Sequence, residues 1–177
     1  MSRNSKNILT HVTKDGRKKI SRNNLVGAGG TATLEYNIPE HLIEGMIVSE
    51  YGPPEYNDLA VAVKEALLKI NDRQGKRGIT IISPFVKCDI EKIMKGIEQA
   101  GRKPPIIYCS DPVDNVSEIE MKNWLRDRGN RDLVTDLPMV KGWEDRIVMV
   151  IDYTFGSENM YLRAVANLIV IKTNKIK

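Results

Sequence analysis

The chain has 177 residues, of which 41% are hydrophobic and 28% charged, with a formal net charge of +4. This length suits one domain, residues 1–177, and no apolar run approaches the roughly 20 residues that a membrane span needs. Because the N-terminus also lacks the apolar region of a secretory signal, we expect an intracellular protein, cytoplasmic or nuclear, with no membrane partner.

Residues 1–57 carry the less regular part of the pattern. A short helix is predicted from residue 4 to about 12, and strands at 34–38 and Met46–Ser49. Residues 14–22 are rich in lysine and arginine. A solvated face explains them most simply, and a nucleic-acid contact is the alternative.

From residue 58 onward, helices and apolar strands alternate. The expected helices lie at 58–71, 88–100, 116–128 and 157–166, and the expected strands at 79–83, 106–110, 132–136, 146–152 and 167–172. In the third helix Ile119, Trp124 and Leu125 are predicted to face inward. Such alternation predicts an α/β fold of three layers, in which helices cover both faces of a mainly parallel sheet.

The residue types that carry nucleophilic or metal chemistry show no motif. Cys88 and Cys109 have no redox or ligand spacing, so we expect reduced thiols. His11 and His41 stand alone, and no metal site is predicted. The glycine-rich stretches at 27–32 and 74–78 lack the spacing of phosphate-binding loops and are interpreted as turns.

An unusual charged cluster separates the last two strand-like runs before the final helix. It contains Lys141, Gly142, Glu144, Asp145 and Arg146. Ligands of parallel α/β sheets bind at the carboxyl ends of strands. Because the cluster follows a strand, we expect it to lie at that edge of the sheet.

Three separated segments give the chain a family resemblance. They are RNSKNIL at 3–9, KGWEDRIVMVI at 141–151 and RAVANLIVI at 163–171. In this order and spacing they resemble the second, C-terminal RecA-like domain of superfamily 1 helicases, the UvrD/Rep-like and related branches. The resemblance implies a RecA-like, P-loop-type α/β fold and an N-terminal RecA-like domain as partner.

The resemblance also implies a nucleotide site shared between two domains. Arg3 and Arg163 match family arginines that reach the γ-phosphate of ATP, which the partner domain binds with Mg²⁺. A guanidinium suits this role because it is always charged and stabilises the charge that develops during phosphoryl transfer. Glu144 matches a glutamate that contacts the ribose, and Lys141 and Gly142 shape the same turn.

Contacts to single-stranded DNA or RNA are implied for Thr135, Asp136 and Trp143, although Trp143 is as well suited to packing. Leu162 departs from the family, which has Thr or Ser before the last arginine. The chain also contains no P-loop and no acidic Mg²⁺ motif, so we do not expect it to hydrolyse ATP alone.

Two alternatives remain open from the sequence. One is a catalytically inactive, helicase-like interaction or regulatory module. The other is a free-standing nucleic-acid-binding α/β domain that uses the basic residues at 14–22.

Overall fold

A parallel sheet forms the centre of the protein. The structure, a computed structural model, describes residues 48–51, 58–140, 143–153 and 158–173. Within these ranges six strands pair in the order β1-β6-β5-β2-β4-β3, and every pairing is parallel. The strands are β1 (Val48–Tyr51), β2 (Thr80–Ile82), β3 (Lys103–Tyr108), β4 (Arg131–Thr135), β5 (Asp145–Asp152) and β6 (Ala164–Lys172).

Helices lie on both faces of this sheet. The helices are α1 (Leu59–Gln74), α2 (Val86–Gln99), α3 (Glu118–Arg126), α4 (Leu137–Val140) and α5 (Glu158–Tyr161). Asp58 caps α1 by accepting a hydrogen bond from the Val61 N–H at 3.1 Å, as expected for a helix start. Gly75, whose φ of 77° favours glycine, ends the same helix.

Alternate strand residues supply two separate apolar cores. Met149 and Ile151 of β5 pack in the cluster that contains the buried faces of α1 and α2. Val148 and Val150 face the other way and pack with residues of α4 and α5. This alternation follows from the period of two along a strand. The predicted α/β fold, a parallel sheet covered by helices on both faces, is confirmed.

Some predicted elements differ from the structure. β6 begins at Ala164 because it pairs with the whole of β5 from Asp145 onward, and α5 is correspondingly one turn long. Ile119 and Leu125 of α3 are 72% and 40% exposed, so the prediction that they face inward was wrong. This helix packs chiefly through Trp124, which is 4% exposed and lies over β3 and β4.

Several predictions fall on residues outside the described ranges. They include the helix at 4–12, the strand at 34–38, the glycine-rich stretch at 27–32 and the basic residues at 14–22. Among the helices that the structure describes, none has the length and apolar character to cross a membrane.

Candidate functional site

Two of the predicted functional segments meet where β5 and β6 begin. Asp145 pairs with Ala164 at the start of these neighbouring strands, so residues 143–144 and Arg163 lie side by side. The Asp145 N–H donates to the Arg163 carbonyl at 2.8 Å. The guanidinium Nη1 of Arg163 donates in turn to the Trp143 carbonyl at 3.3 Å. The two segments are therefore joined by hydrogen bonds in both directions.

The Arg163 side chain is positioned by hydrogen bonds to backbone carbonyls and not by a carboxylate of the described residues. Its Nε donates to the Asn159 carbonyl at 3.1 Å, and its second contact is the Trp143 carbonyl. Both partners are neutral, and among the described residues no carboxylate forms an ion pair with this guanidinium. Because a guanidinium has five N–H donors, the half-buried Arg163 keeps donors for an anion.

Asp145 fixes the start of β5 beside this arginine. Its Oδ2 accepts from the Thr80 hydroxyl at 2.7 Å and from Nη1 of Arg128 at 2.5 Å. Arg128 also stacks 4.2 Å above the Trp124 ring, which adds a cation–π contact. The sequence placed Asp145 in the charged cluster without a role, and no sequence signal pointed to Thr80 or Arg128.

The charged cluster does not lie at the edge of the sheet where it was expected. The chain leaves β4 at its carboxyl end, crosses one face of the sheet through α4, and reaches residues 143–145 at the amino end of β5. Val140 and Trp143 pack against the apolar cluster on that face, which makes the crossing favourable. The expected position at the carboxyl ends of the strands was wrong.

Thr135 and Asp136 lie at the opposite edge from Arg163. The register places Asp136 six residues further along the strand direction than Asp145, which corresponds to about 20 Å. Thr135 is fully buried, and Asp136 accepts hydrogen bonds from the Ser110 N–H at 2.9 Å and hydroxyl at 2.5 Å. Their contact with nucleic acid stays a prediction, and the structure does not bring them together with Glu144 and Arg163.

The remaining predicted residues divide between described and undescribed positions. Trp143 is half-buried and packs in the apolar cluster of α4 and α5, so its ring has a packing role. Glu144 follows it and is also half-buried. Arg3, Lys141 and Gly142 lie outside the described residues.

A second set of hydrogen-bonded polar side chains lies at the carboxyl ends of β2 and β5. Asp89 accepts from the Ser83 hydroxyl at 2.8 Å and from the Tyr153 hydroxyl at 2.6 Å, and all three side chains are buried. Burial, reinforced by the hydrogen bond to Asp89, raises the pKa of Tyr153 well above its ordinary value. The ring of Phe85 packs edge-on against Tyr153. This group is internally satisfied and presents no open donor.

Metal ligands are not gathered in the part of the chain that the structure describes. No group of three or more His, Cys, Asp or Glu side chains there is arranged to hold an ion. Cys88 and Cys109 are both free thiols, the first exposed and the second buried.

Comparison with known proteins finds a likeness among solved structures. No protein-family model and no curated protein matches the chain. Among solved structures it is similar to the C-terminal domain of a possible DNA helicase from Lactobacillus plantarum, with 16% identity, a TM-score of 0.45 and coverage of 98% of this chain and 89% of that one. A likeness at this level decides neither the family nor the activity of the chain.

Proposed function

We propose that this chain is a helicase-like α/β domain that completes an ATP site whose P-loop lies on a separate RecA-like domain. The observation that carries this proposal is the contact between Arg163 and Trp143, two residues 20 positions apart. They belong to two of the three segments that resemble superfamily 1 helicases. A shared nucleotide site requires these segments to be neighbours, and a chance sequence match does not.

The proposed chemistry belongs to Arg163 and Glu144. Two backbone carbonyls orient the guanidinium, so less side-chain freedom is lost when its remaining N–H groups bind a phosphate. There the fixed positive charge would stabilise the charge that develops on the transferred phosphoryl group. The Glu144 carboxylate would accept hydrogen bonds from ribose hydroxyls. Mg²⁺ and most phosphate contacts would be supplied by the partner domain, and Arg3, Lys141 and Gly142 join the proposal through the sequence resemblance alone.

The test is ATP hydrolysis by the protein that contains both this chain and its P-loop domain. Arg163→Ala is expected to lower kcat by about 10³-fold, because an arginine that contacts the transition state contributes 10³–10⁵. Glu144→Gln is expected to raise KM for ATP with little change in kcat. Lys122→Ala is the control, because Lys122 is an exposed cation of α3, a helix that packs over β3 and β4.

A result for Arg163→Ala within twofold of the unmodified protein would remove the proposed role. The thermal unfolding midpoint of each variant should be measured in parallel, because Arg163 also ties residues 143 and 159 together. Arg163→Lys separates the two effects. Lysine keeps the charge but not the fork of donors, so a folded, inactive lysine variant would support direct phosphate contact.

A helicase-like module without nucleotide chemistry is the second candidate. Leu162, at the position where the resemblance expects a hydroxyl, packs against the apolar cluster of α4 and α5. A half-buried leucine packed at this point strengthens the core and adds no side-chain donor to a nucleotide site. Unchanged ATP turnover in both Arg163 variants, together with retained binding to the partner domain, would favour this module.

A further inference from the structure

Three loops at the amino ends of the strands form one continuous surface, which we name the basic platform. They are residues 72–78 before β2, residues 101–104 at the start of β3, and residues 126–131 before β4. Because β2, β4 and β3 are neighbours in the sheet, these loops lie next to one another. The platform is on the same edge as Arg163, and β5 separates β6 from β2, the nearest platform strand.

The platform loops are fastened to each other by their backbones. The Gly78 N–H donates to the Gly129 carbonyl at 2.9 Å. A Cβ at Gly78 would lie 1.8 Å from the Arg131 carbonyl oxygen, so only glycine allows this approach. The Lys76 ammonium donates to the Gly101 carbonyl at 3.3 Å and so ties the first loop to the second.

A buried ion pair lies beneath the loops. Arg102 donates to both Asp132 oxygens, at 2.6 and 3.0 Å, and both side chains are inaccessible to solvent. The same guanidinium donates to the Asn71 side chain and to the Arg77 carbonyl, each at 2.7 Å. One side chain therefore joins α1, the first loop, β3 and β4, and the platform is pre-organised.

The charges on this surface are mostly positive. It exposes six basic side chains against the two acidic ones, Asp72 and Asp127. The basic residues are Arg73, Lys76, Arg77, Lys103, Arg126 and Arg131. The charges of Arg102 and Asp132 cancel each other below the surface. The buried Asp132 carboxylate therefore does not neutralise the exposed cations.

Two described loops at the opposite edge of the sheet have the reverse charge. Among the described loops at the carboxyl ends, residues 83–89 and 109–118 expose Asp111, Asp114 and Glu118 against the single cation Lys87. A polyanion is therefore repelled from these two loops and attracted to the basic platform.

Helix dipoles account for only part of this separation. Basic residues in the last turn of a helix and acidic ones in the first turn are stabilising, and Arg73 and Arg126 are such residues. The other four platform cations lie beyond the helix ends, where the dipole effect has fallen off. Helix stabilisation alone does not explain them.

We propose that the basic platform binds the phosphate backbone of double-helical nucleic acid. The cations are spread over three loops held at fixed positions, which suits the regular phosphate rows of a duplex. Sites for single strands combine a basic groove with aromatic side chains that stack on bases. The sequences DRQGKRG, GRKP and RDRGNR contain no aromatic residue, so the platform offers charge without stacking. This proposal does not depend on the role of Arg163 in ATP hydrolysis.

The test is binding of the full chain to a fluorescein-labelled DNA duplex and to a single strand of the same length, followed by fluorescence anisotropy over a range of salt concentrations. The duplex is expected to bind at least several-fold more tightly. Arg77→Glu with Lys103→Glu removes two platform cations whose side chains make no hydrogen bond among the described residues. This double variant is expected to weaken duplex binding tenfold or more and to reduce the salt slope by about two.

Two control variants have the same change in net charge. Lys87→Glu with Lys95→Glu alters exposed lysines of α2, and Lys18→Glu with Lys19→Glu alters the basic segment near the N-terminus. Both are expected to keep duplex binding within about twofold to threefold, since local phosphate contacts rather than net charge supply the affinity. Equal losses in all three variants, equal affinity for single strands, or no duplex binding would each overturn the proposal. Binding of an acidic polypeptide such as polyglutamate in place of the duplex would also overturn it.

Discussion

Replacing Arg102 by alanine is expected to destabilise the fold by about 3–5 kcal/mol at neutral pH. The guanidinium makes four hydrogen bonds, and among the described residues its loss leaves the buried Asp132 carboxylate with only the Ile79 N–H, 2.9 Å from Oδ1. Removing one partner of a buried ion pair costs about this much because the remaining charge is uncompensated. For a domain with a typical total stability of about 5–15 kcal/mol, the loss is large.

The measurement is urea unfolding followed by tryptophan fluorescence and circular dichroism. Arg131→Ala is the matched control, because Arg131 adjoins Asp132 but is exposed and makes one side-chain hydrogen bond, to Pro104. It should cost less than about 1 kcal/mol. Asp132→Asn is expected to destabilise the unmodified protein but to stabilise the Arg102→Ala variant, because the amide still accepts from Ile79 without a charge. Additive effects of the two substitutions would refute the reasoning.

The Arg102→Ala variant also gives a pH test, because the direction in which its unfolding free energy changes with pH is fixed. Burial raises the pKa of Asp132, while the hydrogen bond and charge of Arg102 lower it. Without Arg102 the folded-state pKa rises further above the unfolded value of about 3.9. The folded variant then binds the proton more tightly than the unfolded chain. Its stability is therefore lost as pH rises from the unfolded pKa of Asp132 to the folded one. The difference in unfolding free energy between the two proteins should therefore be smaller near pH 5 than at pH 7, and a larger difference would contradict the assignment.

Two other predictions concern Asp145 and the cysteines. Asp145→Ala should lower the free energy of unfolding in urea by about 2–4 kcal/mol, because it leaves the largely buried Arg128 without its carboxylate. Thr80→Val should lower it by about 1 kcal/mol, because one hydrogen bond is lost. Equal costs would show that the ion pair contributes little. Brief treatment of the native chain with iodoacetamide should modify the exposed Cys88 and spare Cys109, whose thiol is buried, contacts the Asp111 carbonyl at 3.1 Å and has a pKa raised by burial. Peptide mass spectrometry checks this, and comparable labelling of both thiols would be inconsistent with the burial of Cys109.

Much of the fold was predictable because its strands are buried on both faces and its helices end in recognisable signals. The β-branched run at 79–83 predicts a strand, and the glycines after α1 and α2 predict helix ends. Both signals depend on neighbouring residues alone, and the structure has the strand and the helix ends at these places. The orientation of α3 was not predictable in the same way. Its apolar residues suggest a broad inward face, but the helix covers the outer strands β3 and β4 and packs on them chiefly through Trp124.

The candidate site was predictable only where a motif carried it. The resemblance selected Glu144 and Arg163, and their segments are neighbours in the fold. The hydrogen bond from Thr80 to Asp145 spans 65 residues, and no spacing rule connects such positions. The position of the charged cluster was wrong for a related reason. Residues 137–140 were interpreted as part of a turn, whereas they form a helix that carries the chain across the sheet.

The amino edge of this sheet keeps exposed cations because its buried charges are paired. Arg102 pairs with Asp132 and Arg128 pairs with Asp145, and each carboxylate also accepts a further hydrogen bond. At the carboxyl edge Asp152 pairs with Lys172, while the Asp89 and Asp136 carboxylates accept hydrogen bonds from hydroxyl groups. A domain that contributes to a ligand held elsewhere needs fixed, unneutralised charge rather than an enclosed pocket. On this edge Arg163 precedes β6 and the basic platform precedes β2, β4 and β3, so β5 alone separates the two proposed sites.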